Sequence, residues 1–200
     1  MQNFWDERYA TTEYVYGTEP NEYFRSKLSS HPSGTILLPG EGEGRNAAFA
    51  ASAGWNVTAF DTSEKGRKKA LRIAKEKGVK IDYKIASYDR FNPGDKLYDA
   101  IGLFFTHTSP EPRNKFHLKL LRWLKPGGII IMKAFHKNQI TRDTGGPGNI
   151  DLLYSKEILT DDFNDLEIKE LKDVVITLNE GPFHQGEAHV IRLYGKKPSS

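Results

Sequence analysis

The sequence predicts an α/β fold: seven strands in a mainly parallel sheet, helices on both faces, and an antiparallel hairpin at the C-terminal end. Three observations predict it. Short apolar runs alternate with amphipathic stretches of roughly 10–15 residues, the signature of βαβ units. Glycines stand where strands give way to helices and where helices stop. The last two apolar runs are separated only by turn-forming residues, so they pair antiparallel.

The elements follow in order. After a polar, aromatic N-terminal segment, Thr35 to Leu38 reads as a short buried strand. Arg45 to Ala53 is an alanine-rich helix stopped by Gly54. Trp55 to Phe60 is the second strand, and Glu64 to Lys77 the next helix, ended by Gly78. Strands at Lys80 to Ile85 and Tyr98 to Phe105 come next. A helix over Arg113 to Leu124 and, past "KPGG", a strand at Ile129 to Phe135 complete the parallel part. Leu166 to Leu178 and Ala188 to Tyr194 flank "NEGPFHQGE" and form the hairpin. Between the two parts lies "TRDTGGPGNIDLLYS", a glycine-rich loop long enough to be functional. No repeat, low-complexity tract or linker interrupts the chain. Residues 1–200 therefore read as one domain, with residues 1–30 an aromatic N-terminal segment.

Composition narrows the function. Two hundred residues suffice for a sizeable core, and a net charge of +3 gives no prior for nucleic acid. The absence of cysteine excludes disulfides, thiolate nucleophiles and cysteine-based metal sites, and no metal site is expected. The start "MQNFWDERYA" lacks signal-peptide character and no apolar stretch reaches membrane-spanning length, so a soluble cytoplasmic protein is expected. The strongest charge run, "EKGRKKALRIAKEKGVK", carries Lys65, Arg67, Lys68, Lys69, Arg72, Lys75 and Lys77. Ala70, Leu71, Ile73 and Ala74 give it an apolar stripe, so the basic residues read as a solvated helix face. No aromatics interleave with them, which disfavours nucleic acid as a partner.

The stretch "TILLPGEGEGRNAAFA" carries the chemistry. Gly40, Gly42 and Gly44 sit in the first strand-to-helix turn, where ligands of open α/β sheets bind. Three glycines in five residues are costly in backbone entropy and imply a close approach to the main chain. Asp61 follows the second strand about twenty residues on, where a carboxylate takes the hydroxyls of a ribose. Together they indicate an adenosine-containing cofactor. A dinucleotide would want a third glycine or alanine where Arg45 stands, and Glu41 and Glu43 would repel its pyrophosphate. S-adenosylmethionine carries a sulfonium and an ammonium, which carboxylates favour. Each acid also has a structural reading: Glu43 complements a helix dipole, and Asp61 caps the next helix with Glu64 at capping-box spacing.

Four segments carry a resemblance: "WDERYATTEYVYGTEPNEYF", "LLPGEGEGRNAAFAASAGWNVTAFDTS", "LLRWLKPGGIIIMKAF", and "TGGPGNIDLLYS" with "LNEGPFHQGEAHVI". Through them nearly the whole chain resembles class I S-adenosylmethionine-dependent methyltransferases. It is most similar to the small bacterial ones related to tellurite-resistance and thiopurine methyltransferases. The resemblance implies a Rossmann-like fold, S-adenosyl-L-methionine as cofactor, and in-line methyl transfer to a small-molecule acceptor. It assigns Gly40, Glu41, Gly42 and Gly44 to the methionine and ribose, with Arg45 and Asn46 opening the helix beside them. Asp61 would hold the ribose hydroxyls, Thr62 and Ser63 the adenine edge. Ser87 and Tyr88 would meet the base, Ser87 standing where relatives often carry an aspartate and Asp89 lying off register. Leu38 replaces a second aspartate common in relatives.

The fourth strand ends in "GLFFTHTSPEPR", which puts Phe104, Phe105, Thr106 and His107 beside the expected methyl group. The Asn/Asp-Pro-Pro-aromatic motif of enzymes that methylate nucleobase amines is missing there. His107 is the candidate catalytic base, while His184, in the hairpin turn, is expected to be exposed. Trp5, Tyr9, Tyr14, Tyr16 and Tyr23 lack helical spacing and are poor core candidates. They suit a lid over the cofactor, with Tyr16 near the ligand; packing over a sheet edge is the alternative. Two other function classes stay open: a same-fold NAD(P)-binding oxidoreductase, and a non-catalytic cofactor-binding or RNA-associated module.

Overall fold

The computed structural model describes residues 2–199; Met1 and Ser200, the ends of the expected domain, lie outside it. Seven strands form one sheet: β1 (Thr35–Pro39), β2 (Asn56–Asp61), β3 (Asp82–Ile85), β4 (Tyr98–Phe104), β5 (Leu124–Phe135), β6 (Glu167–Asn179) and β7 (Gln185–Lys196). Their order is β3-β2-β1-β4-β5-β7-β6. The first five run parallel, and β7 inserts antiparallel between β5 and β6. The expected architecture is present.

Among the described residues six α-helices cover the sheet: α1 (Gln2–Arg8), α2 (Glu22–Leu28), α3 (Arg45–Ser52), α4 (Glu64–Glu76), α5 (Pro110–Trp123) and α6 (Lys156–Asp162). Two cores result. Ile36 and Leu38 of β1 pack with Phe24 and Leu28 of α2, Ala47 of α3 and Ala70 of α4. Leu37 points to the other face, toward Phe116 and Leu120 of α5 and Leu159 of α6. Leu38 is thus a core residue, fully buried, and its side chain fills the space a Cβ on Gly102 would need.

Several boundaries differ from expectation, each for a local reason. α5 begins at Pro110, a residue suited to the first helical turn because it lacks the amide left unpaired there. β5 starts at Leu124, directly after α5, and takes the "KPGG" stretch into the strand. The hairpin strands extend to Asn179 and from Gln185, since polar residues at their ends still pair with each other.

The helices α1, α2 and α6 escape the sequence pattern because each has only seven residues. α2 is fixed by Asn21, whose side chain accepts from the Tyr23 and Phe24 amides, and by burial of Tyr23, Phe24 and Leu28. Tyr23 is therefore a core residue, contrary to its grouping with a lid.

Candidate functional site

The C-terminal ends of the parallel strands open onto a cavity of about 1150 Å³. Gly40, Glu41, Arg45, Asn46, Asp61, Thr62, Ser87, Tyr88 and Phe104, all candidates from the sequence, line it together. So do Asp89, Phe105, His107 and, from the N-terminal segment, Trp5, Tyr9 and Tyr16.

The three loop glycines do different work. Gly40 has φ 61° and faces the cavity; a Cβ there would lie 2.4 Å from the Tyr88 hydroxyl oxygen. Gly42 does not line the cavity. A Cβ there would meet the Tyr9 hydroxyl at 2.5 Å, while its carbonyl accepts from Tyr83 Oη at 2.7 Å. A Cβ at Gly44 would strike Ala70 Cβ at 2.4 Å, so that position lets α4 close on α3. The assignment of Gly42 and Gly44 to the ligand is corrected: one receives a tyrosine of the N-terminal segment, the other a helix.

Asp61 braces this loop from the end of β2. Its carboxylate accepts from the Gly42 amide at 3.1 Å and the Ser63 amide at 2.9 Å. Burial raises its pKa above the ordinary aspartate value, and those amides pull the other way. Ser63 is corrected too. Fully buried, it caps α4 by accepting from the Gly66 amide and donates its hydroxyl to Asp6, so it is turned from the cavity.

The two loop acids separate in role. Glu43 is spoken for: it forms a buried ion pair with Lys69 at 2.7 Å, and its other oxygen accepts from the Val15 and Tyr16 amides. It tethers the N-terminal segment instead of offering a free charge to a ligand. Glu41 reaches the cavity and accepts from the Ala47 amide at the start of α3. Burial pushes its carboxyl up to about 7. It is the acid that a bound cation would hold ionised.

The basic face of α4 is only partly solvated. Lys69 is buried against Glu43, and Arg72 donates to the Tyr14 hydroxyl and the Thr12 carbonyl. Its residues fasten the N-terminal segment over the loop, with Arg45 adding a bond to the Tyr16 carbonyl at 2.9 Å.

At the end of β4, Phe105 adopts φ 54°, the sole non-glycine residue in the left-handed region among the described residues. Such a conformation costs about 1–3 kcal/mol. It brings the ring to 4.7 Å from that of Phe135 and 4.6 Å from that of His184. Gly145 and Gly146 of the glycine-rich loop lie so close to His184 and Phe135 that a Cβ on either would contact an aromatic ring at 3.0 Å. Gln139 pins that loop through Thr144 and Gly145. Phe135, Gly145, Gly146 and Phe183 complete an aromatic wall that the sequence reading did not single out residue by residue; the paired glycines were its available signal.

Both histidines are corrected. His107 is half-buried, with Nδ1 2.8 Å from the Leu152 carbonyl, and its Nε2 accepts from the Phe135 amide at 3.4 Å. Burial lowers its pKa to about 4. Both nitrogens are committed to the backbone, so the ring braces the cavity wall and has no lone pair left for a base. His184 is not exposed: it is 5% accessible, lines the cavity, and holds its ring 4.5 Å from that of Tyr16, tilted by 51°.

Comparison with known proteins fits this geometry. A family profile described as a methyltransferase domain matches residues 36–128. The ubiquinone biosynthesis O-methyltransferase of Rickettsia felis is 32% identical over 176 residues, covering 77% of this chain and 70% of the relative. That of Rickettsia canadensis is 33% identical over 58% of this chain and spans 50% of the relative's own length.

Among solved structures, TehB from Haemophilus influenzae superposes with a TM-score of 0.74 at 16% identity, over 98% of this chain and 66% of that one. The N-methyltransferase NodS from Bradyrhizobium japonicum WM9, in complex with S-adenosyl-l-homocysteine, gives 0.77 at 14% identity over 98% of both. At these identities they share the fold. The residues present fit the cofactor: Gly40 lines the cavity without a side chain, and Asp61 and the half-buried Glu41 each bring a carboxyl group to the same wall. The chain belongs to the class I S-adenosylmethionine-dependent methyltransferases.

Proposed function

We propose that this chain transfers the methyl group of S-adenosyl-L-methionine to a hydroxyl oxygen of a small aromatic molecule. The observation that carries this reading is the aromatic wall of Phe104, Phe105, Phe135 and Phe183 in the same cavity as the glycine loop. The cavity, at about 1150 Å³, exceeds the roughly 300–1,000 Å³ of a pocket for one drug-sized ligand. It accommodates cofactor and acceptor side by side. The relatives named ubiquinone biosynthesis O-methyltransferases support oxygen as the receiving atom.

In this reading Asp61 holds the ribose hydroxyls, Glu41 faces the cationic end, and Thr62, Ser87 and Tyr88 surround the adenine. The N-terminal segment acts as a lid of a single domain, with Trp5, Tyr9 and Tyr16 on its inner side. The bound cofactor supplies a methyl carbon already activated by a positive sulfur. The protein positions the acceptor in line and excludes water, which can contribute about 7–11 kcal/mol. Among the described residues no helix is long and apolar enough to cross a membrane, and a cytoplasmic site of action is part of the same proposal.

Calorimetry with S-adenosylhomocysteine, followed by a screen of phenols for methylation, tests the reading. Saturable binding and at least one methylated phenol are expected. Absence of heat with S-adenosylhomocysteine would overturn the cofactor site, and inert phenols would overturn the acceptor class.

A further inference from the structure

His184 is a buried imidazole that lines the cavity beside the rings of Phe105 and Phe135. Its Nδ1 has no hydrogen-bond partner among the described residues and lies 3.6 Å from Glu180 Oε2, beyond hydrogen-bond reach but close enough for attraction. Glu180 itself is rigidly held, accepting from Arg45 Nη2 at 2.7 Å and Asn21 Nδ2 at 2.9 Å. A carboxylate on the Nδ1 side favours the tautomer with hydrogen on Nδ1, which leaves the Nε2 lone pair free. The ring is wedged between Tyr16 and Phe105, so its orientation is fixed.

We propose that His184 Nε2 takes the proton of the acceptor hydroxyl, with Glu180 as the positioning residue behind it. The proposal rests on the hydroxyl-acceptor reading above. As the acceptor oxygen forms its bond to the methyl carbon, the carbon–sulfur bond breaks and its electron pair returns to sulfur. The hydroxyl proton passes to His184 and then to solvent. Products are the methyl ether, S-adenosylhomocysteine and one proton.

The charges around the ring suit this task. Burial lowers the pKa of His184; Glu180 opposes that, while Arg45 and Lys133 reinforce it. His107 and Tyr16 also face it. The imidazole is therefore neutral and able to accept at physiological pH. The glycine-rich loop crosses the ring edge at Gly145 without a side chain to obstruct it.

The test compares two acceptors, phenol and 4-nitrophenol, the second being largely ionised already at mildly alkaline pH. His184→Gln is expected to lower transfer to phenol by about 10²–10⁴-fold, the usual worth of a general base. Transfer to the nitrophenolate should stay within about threefold, and S-adenosylhomocysteine affinity should be unchanged. Equal loss on both acceptors, or loss on neither, overturns the assignment to His184. A wild-type protein inert toward both overturns the hydroxyl-acceptor reading itself.

A second measurement needs no variant. Imidazole nitrogen NMR of the wild-type protein with S-adenosylhomocysteine should show His184 protonated on Nδ1, with an Nε2 signal that moves when phenol is added. A ring protonated on Nε2 alone would overturn the proposal.

Discussion

Arg45 Nη2 donates to Glu180 Oε2 across 2.7 Å, joining the first turn of α3 to the turn between β6 and β7. The other oxygen of Glu180 accepts from Asn21 Nδ2 and from Lys133 Nζ at 3.1 Å. Three segments distant in sequence, carrying Asn21, Arg45 and Lys133, converge on one carboxylate. Both members of the Arg45–Glu180 pair are nearly buried, so its value lies less in net attraction than in the penalty for leaving either charge alone.

Glu180→Gln should therefore destabilise the fold by about 3–5 kcal/mol at neutral pH, because Arg45 and Lys133 lose their counter-charge. Burial alone would raise this carboxyl, but His184, Arg45 and Lys133 together hold it far below its ordinary value of 4.5. The stabilisation is thus present above that ordinary value and is lost only as pH falls into the strongly acid range. Urea unfolding of both proteins checks this. A difference under about 1 kcal/mol would mean the pair is structurally idle.

Asp61 carries two burdens, bracing the Gly42 amide and, in our reading, holding a ribose. Asp61→Ala should weaken S-adenosylhomocysteine binding by about 2–4 kcal/mol and also lower the melting temperature. Asp61→Asn should lose less, since its amide oxygen still accepts from a backbone N–H. Calorimetry and thermal melting on the same samples separate the two burdens. Lower melting with intact affinity would leave Asp61 as a brace only.

Glu41, raised to about 7 by burial, makes cofactor affinity depend on pH. A bound cation favours the ionised form, so the gain is present above the free-protein value and lost as pH falls through it. Affinity for S-adenosylmethionine should drop roughly tenfold between about pH 8 and pH 6. Glu41→Gln should bind weakly and with a flat profile. A wild-type profile that is itself flat would remove Glu41 from the cationic end.

The segment around Tyr14 to Gly17 hangs on Glu43 through the Val15 and Tyr16 amides. Those two amides should exchange slowly with S-adenosylhomocysteine present and markedly faster without it, if covering a ligand stabilises the segment. Glu43→Ala should abolish the difference by removing the oxygen that both amides reach. Equal protection in both states would make the segment ordinary packing.

How much of this was legible depends on the range of the forces involved. The parallel strands and α3 and α4 could be read because their apolar runs and terminal glycines are local signals. Gly40 and Asp61 were legible for the same reason, one a turn and the other a strand end. The roles of Gly42 and Gly44 were not, because they are set by Tyr9 and Ala70, far away in sequence. His184 looked like an exposed turn residue; it is buried because the hairpin turn packs back onto the N-terminal segment, where a Cβ on Gly181 would lie 2.4 Å from the Val15 carbonyl oxygen. His107 looked free until the fold set it between the Leu152 carbonyl and the Phe135 amide.

The insertion of β7 between β5 and β6 also governs the order in which the machine can be assembled during synthesis. A nascent chain that has emerged through Phe135 can form the parallel sheet and the glycine loop, yet β5 then presents a bare edge of Ile130, Ile131 and Met132. That edge stays open to wrong partners until Gln185–Lys196 arrives, a contact of high sequence separation and hence slow to form. Only then do Glu180 and His184 reach Arg45 and Tyr16. Translation stalled between the two events should yield a chain that binds the cofactor weakly, turns over nothing and depends on chaperones for its solubility.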